Sequence, residues 1–171
     1  MKKKNKILPK IRLFKYDEFN DIRGKVKILY NSTNEGEFKI KQTLFSSNKH
    51  KGTIRGLHYQ KKFKQSKIIK VLNGSIFDVF VNINPNSKNY GMHGYAYLDA
   101  NKLNSIYIDK DYAHGFQTLC DNVDLIYLLN NKYSEVNHET ILYNDSYLNI
   151  VWPIKLSKIS IKDKEAKRFL K

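Results

Sequence analysis

Five segments of this chain gather side chains that can move protons or hold anions. They are Phe19-Asn20-Asp21-Ile22-Arg23-Gly24; Gly52-Thr53-Ile54-Arg55-Gly56-Leu57-His58-Tyr59-Gln60; Lys67 at the head of an apolar run; Tyr112-Ala113-His114-Gly115-Phe116 with Tyr127 downstream; and the stretch from Asn144-Asp145 through Trp152-Pro153 to Ser160-Ile161-Lys162-Asp163. Histidine titrates near neutral pH and suits general acid–base work. Taken singly, each residue also has a structural reading. His58 alone fits a satisfied polar residue in a strand, and Tyr127, inside Leu125-Ile126-Tyr127-Leu128, fits a core position. Lys67 fits a surface lysine, His114 a structural histidine, and Asp163 a carboxylate favouring a helix N-terminus.

Charge points to an anionic ligand. The 171 residues carry 31 Lys and Arg against 16 Asp and Glu, a net +15. These cations are spread along the chain, many of them as solvated surface. No helix-turn-helix, zinc-finger or RNP pattern appears, so a phosphate-bearing small molecule is expected rather than nucleic acid. Cys120 is the single cysteine, so no internal disulfide forms, and a reducing compartment is expected. In its apolar surroundings Cys120 reads as a small buried residue rather than a reactive thiol. The opening Met-Lys-Lys-Lys-Asn-Lys is not followed by the apolar run of about 7–15 residues that a signal peptide has. No stretch approaches the ~18 apolar residues of a membrane span. A cytoplasmic protein with no membrane partner is expected, as one domain over 1–171.

Short strands must position these groups. Residues 25–30 partly alternate, and 67–72 and 75–83 are β-branched runs separated by Asn73-Gly74, a hairpin signal. Asn84-Pro85-Asn86-Ser87 ends the second run as a turn. Further strands are read at 95–98 and 105–108 around a polar loop at 99–104, and at 116–119 and 123–129 around Cys120-Asp121-Asn122. Strands recurring this often, with no long helical pattern between them, indicate an all-β antiparallel sandwich or barrel. A helix is expected over 160–170, with Ser160 as its cap.

The blocks Arg55-Gly56-Leu57-His58-Tyr59-Gln60 and Ala113-His114-Gly115-Phe116, in this order and at this separation, resemble the dTDP-4-dehydrorhamnose 3,5-epimerase family. The match runs from about Phe19 to about Asp163. The resemblance implies a cupin-like antiparallel β jelly roll with short peripheral helices. It implies that His58 is the catalytic base, Asp163 its orienting carboxylate and Tyr127 the acid on the opposite face of the sugar. It places Lys67 and His114 beside the keto group and Arg23 and Arg55 on the diphosphate, with Gln60 and Tyr133 as further substrate-binding residues. It also implies a homodimer that exchanges N-terminal strands, with Arg23 reaching into the partner's pocket.

The chemistry explains the set. In a nucleotide-diphosphate-linked 4-keto sugar, removing a proton from C3 or C5 gives an enolate with its charge on the C4 oxygen. A cation or hydrogen-bond donor there lowers the barrier by ~3–4 kcal/mol if it acts like other oxyanion donors. Returning the proton from His58 regenerates the substrate, so inversion needs a second acid across the ring. No redox cofactor is required. Many cupins bind iron or manganese through clustered His and carboxylate ligands. Here Tyr59-Gln60 follows His58 where a second histidine two residues on would be needed, so no metal is expected.

The sequence departs from thymidine-specific members at two points. An aromatic residue usually follows the Arg-Gly pair closely, and here the segment is Arg23-Gly24-Lys25-Val26-Lys27. A second aromatic commonly adjoins the position of Tyr133, where this chain has Lys132. Asp109 and Asp111 also stand where proline and glycine usually precede Ala-His-Gly-Phe. These changes shift the expectation towards the related branch acting on GDP-linked 4-keto-6-deoxy-heptoses for capsules, with the dTDP-L-rhamnose pathway as the alternative. Sugar 3,4-ketoisomerases and a non-catalytic nucleotide-sugar-binding cupin are the remaining alternatives. His50, His93 and His138 are given no role.

Overall fold

Each strand sends alternate side chains to opposite faces, and two sheets bury the inward set between them. The structure is a computed structural model that describes residues 5–32, 38–102 and 104–169. The start of the basic N-terminal run, Leu103 of the polar loop and the last residue of the expected helix lie outside these. The strands are β1 (Ile11–Phe14), β2 (Glu18–Asp21), β3 (Gly24–Lys27), β4 (Gln42–Asn48), β5 (Ile54–Gln60), β6 (Lys67–Asn73), β7 (Ser75–Asn82), β8 (His93–Asp99), β9 (Ser105–Ile108), β10 (Tyr112–Thr118), β11 (Val123–Leu129) and β12 (His138–Thr140). One sheet runs β1-β9-β6-β11-β4, the other β12-β5-β10-β7-β8, and β2 and β3 form a separate hairpin. The pairings are antiparallel. This is the all-β architecture the sequence predicts.

The core between the sheets takes Ile69 and Val71 from β6, Leu125 from β11, Ile76 and Phe80 from β7 and Phe116 from β10. Burying each such side chain contributes roughly 1.5–3 kcal/mol. The outer face of the second sheet is covered as well. Leu57, Val79, Val81 and Ala113 pack there against Ile141, Leu148 and Ile150 from the C-terminal segment. With both faces covered, β7 is buried at every position after Ser75, which is why it reads as one apolar run. Cys120, expected to be buried, is half-buried and packs against the inter-sheet core.

Two expectations are corrected. Asn73-Gly74 does not close a hairpin, because β6 and β7 lie in different sheets. Gly74, with φ +77°, turns the chain from one sheet into the other. A Cβ there would meet Cys120 Sγ and Val123 Cγ2 at 2.9 Å. Both runs are apolar because both need burial, not because they pair. The helix expected over 160–170 is a single turn, α1 (Ile161–Lys164), capped by Ser160, whose Oγ accepts from the backbone N–H of Asp163 at 3.1 Å. Beyond it the Lys167 carbonyl accepts from Leu142 N–H at 2.9 Å, and Phe169 stacks on Tyr147 at 5.8 Å between ring centroids. Sheet pairing and aromatic packing outweigh the helical propensity of the lysine-rich sequence.

Candidate active site

The two histidine-bearing motifs are neighbouring antiparallel strands, with His114 opposite His58. Leu57 and Ala113 belong to the outer cluster, so alternation turns His58 and His114 inward. From the facing sheet, β11 turns Tyr127 inward behind Leu125, and β6 presents Lys67 opposite Leu129. These four side chains share a cavity of about 420 Å³ with Arg55, Tyr133 and His138. Leu44, Phe45, Phe116 and Leu129 add apolar walls to it. A second cavity of about 530 Å³ adjoins it, sharing Arg55, His58, Tyr133 and His138 and adding Lys158, Lys162 and Asp163.

His58 is tied to α1. Its Nε2–H donates to Asp163 Oδ1 at 2.7 Å, which leaves Nδ1 as the basic nitrogen. Asp163 is buried at 4% exposure, and its other oxygen accepts from Gly56 N–H at 3.1 Å. Burial alone would raise this carboxyl, but the bond to His58, the His58 charge and the Gly56 N–H outweigh it and hold the carboxyl below its ordinary range. The carboxylate is thus placed to fix which His58 nitrogen carries the proton.

Beneath the cavity, His114 Nε2–H donates to Asp78 Oδ2 at 2.8 Å, and both residues are buried. Burial lowers His114 despite Asp78 and raises Asp78 despite His114 and Lys67. Lys67 is 7% exposed, and that burial pushes its ammonium from 10.5 down to about 8, with Asp78 opposing. Burial pushes the Tyr127 phenol strongly up, so it is protonated throughout the neutral range. Its ring meets the His114 ring edge-on at 6.3 Å. At the mouth, the Arg55 Nε–H donates to Asn48 Oδ1 at 2.7 Å. Arg55, Lys158 and Lys162 make the rim cationic, a match for a diphosphate.

The pattern corresponds to a known family. The family model for dTDP-4-dehydrorhamnose 3,5-epimerase matches residues 5–171. The chain is 32% identical to that epimerase of Shigella flexneri over 95% of this chain and 93% of the relative. The chain belongs to the dTDP-4-dehydrorhamnose 3,5-epimerase family. The epimerase of Bacillus anthracis str. Ames, solved with TDP and pyrophosphate bound, superposes with a TM-score of 0.86 at 32% identity, covering 93% of this chain and 94% of that one. The dTDP-6-deoxy-D-glucose 3,5-epimerase of Legionella pneumophila Philadelphia 1, in complex with dTDP-4-keto-L-rhamnose, gives 0.88 at 29% identity over 96% and 90%. The protein is therefore a nucleotide-sugar epimerase.

The fold of this epimerase gathers His58, Lys67, His114, Tyr127, Asp163, Arg55 and Tyr133 around the two cavities. Two expected residues stand apart. Gln60 is buried and engaged elsewhere: its Nε2–H donates to the Phe63 carbonyl at 2.9 Å, and its Oε1 accepts from Ser134 N–H at 2.6 Å. It pins two loops rather than lining either cavity. Arg23 sits at the tip of the β2–β3 hairpin, 85% exposed and paired with Asp21 at 2.6 Å, away from this chain's own cavities. Asp78 and His138 are site residues that the sequence reading passed over. Asp78 had a signal, a lone carboxylate inside Ile76-Phe77-Asp78-Val79-Phe80. His138 had none, because it sits in a polar stretch and enters the site only through the pairing of β12 with β5.

Proposed function

We propose that the enzyme inverts C3 and C5 of a dTDP-linked 4-keto-6-deoxy sugar, with His58 as base and Tyr127 as the opposing acid. The observation that carries this reading is the placement of the two groups on opposite walls. His58 comes from β5 in one sheet and Tyr127 from β11 in the other, and both line one cavity. His58 Nδ1 takes the proton beside the ketone, and Asp163 steadies the imidazolium. The buried Lys67 ammonium meets the negative charge that develops on the C4 oxygen, with His114 beside it. Tyr127 then delivers a proton from the other face. Arg55, Lys158 and Lys162 hold the diphosphate at the rim.

Thymidine is favoured because the relatives named above carry dTDP in their names, and two of their structures hold TDP or a dTDP-keto sugar. The GDP-linked heptose branch is the second reading, on the ground that Val26 and Lys132 stand where aromatics stack the base. Proton NMR in heavy water on dTDP- and GDP-linked 4-keto sugars tests both. Deuterium entering C3 and C5 of the dTDP sugar with inversion is the expected result. Turnover of the GDP sugar alone would reverse the assignment, and exchange with neither would remove it.

The β2–β3 hairpin leaves Phe19, Ile22 and Val26 exposed, and the edge strand β4 leaves Leu44 and Phe45 exposed at the cavity. We propose that the hairpin of a second subunit covers that edge and brings its Arg23 to the diphosphate. Such a contact buries both apolar sets and protects a free strand edge.

A further inference from the structure

His138 is an ionisable group within the site that the proposed reaction does not use. In the antiparallel pairing of β12 with β5, Thr140 lies opposite His58 and His138 opposite Gln60. His138 is therefore the diagonal, same-face neighbour of His58. Their ring centroids are 4.7 Å apart, with the planes tilted by 54°. On its other side the His138 ring meets Tyr133 at 5.3 Å, and it lines both cavities at their junction. Its Nδ1 is buried with no hydrogen-bond partner among the described residues, and the contacts seen are those of the ring.

The charged and titratable groups around His138 are His58, Lys162, Lys67 and Asp163, with its chain neighbour Glu139 and the Tyr133 phenol. Burial, then the three basic neighbours, outweigh Asp163 and push the imidazole down to about 4. At neutral pH it is therefore uncharged.

We propose that His138 is a positioning residue for His58, a ring packed against the base that restricts how its plane can turn. The hydrogen bond to Asp163 sets where Nε2 points, but the terminal torsion of a histidine is broad, and one bond leaves the ring free to swing about it. A tilted ring packed against it, itself in contact with Tyr133, restricts that freedom and keeps Nδ1 turned to the sugar. Neutrality is part of the role, because a second cation at this distance would oppose the imidazolium that forms when His58 takes its proton. This inference rests on the reading of His58 as the base.

The test compares His138→Ala, His138→Phe, His138→Gln and His58→Ala by C3 deuterium exchange on the dTDP-4-keto sugar, with kcat and KM separated. His138→Ala is expected to lower kcat about 10–100-fold, the cost of a misplaced reacting group, with KM within about 3-fold of wild type. His138→Phe keeps a neutral ring and is expected to restore kcat to within about 3-fold. A normal kcat in His138→Ala overturns the inference. So does recovery by Gln but not by Phe, or a rise in KM alone, since either would mean a polar contact to substrate. If His138→Ala fails to fold by circular dichroism, the Phe and Gln pair decides. The His58→Ala arm separates the two readings. Exchange surviving there removes the base itself, whereas exchange lost there but normal in His138→Ala removes only the positioning role.

Discussion

A Cβ on Gly56 would lie 2.5 Å from the carbonyl oxygen of His114. The two motif strands can approach this closely only because residue 56 is glycine. Its φ of +111° is a further bar to any other residue. Gly56→Ala is expected to lose about 1–3 kcal/mol from backbone strain, with more from the contact. Activity should fall further than stability, since the Gly56 N–H also binds Asp163. Denaturant midpoints and exchange rates on the purified variant check this. An unchanged midpoint would contradict the close approach.

Lys67 gives activity and stability opposite dependences on alkaline pH. Its ammonium is lowered from 10.5 to about 8 by burial, so turnover should fall as pH rises through about 8 and the charge on the C4 oxygen loses its partner. In the same range the unfolded chain binds more protons than the folded one. The contribution of this group to stability therefore rises from about pH 8 towards 10.5. Lys67→Met should lower kcat by ~10²–10³ and flatten the stability rise relative to wild type. A pH–stability curve identical in the two proteins would contradict the buried ammonium.

Much of this was legible in the sequence because the groups sit in specific blocks. His58 and His114 were marked by the residues around them, and β9 and β11 by their apolar runs, which match the observed bounds. What was not legible depends on tertiary context. The Asn73-Gly74 dipeptide signals a tight turn but not which sheet the chain enters next. Lysine-rich residues after Lys164 suit a helix locally, yet the pairing beside Ile141 takes them. Gln60 belongs to a diagnostic block and still serves two loops. His138 has no motif and becomes a site residue only by strand register.

Tyr127 separates proton removal from proton return. Its phenol is held protonated by burial, and no hydrogen bond ties its hydroxyl to another described residue. Tyr127→Phe should therefore leave removal by His58 partly alive and impair delivery on the opposite face. Deuterium exchange with retained configuration should survive better than inversion. Equal loss of both in NMR time courses would argue against Tyr127 as the acid.

The hairpin carries the assembly prediction. Sedimentation at micromolar concentration should give a dimer. Ile22→Lys, at the fully exposed hairpin tip, should shift it towards monomer and weaken substrate binding as Arg23 is withdrawn. A monomeric wild type would contradict the exchanged-hairpin arrangement.

The 2.7 Å bond between His58 Nε2 and Asp163 Oδ1 underlies the central claim, and deuterium entry at C3 measures it most directly. Wild type, His58→Ala and Asp163→Asn are incubated with the dTDP-linked 4-keto sugar in heavy water and followed by NMR. The account predicts that His58→Ala abolishes exchange, and that Asp163→Asn reduces it strongly while leaving dTDP binding largely intact. Near-normal exchange by His58→Ala would contradict it.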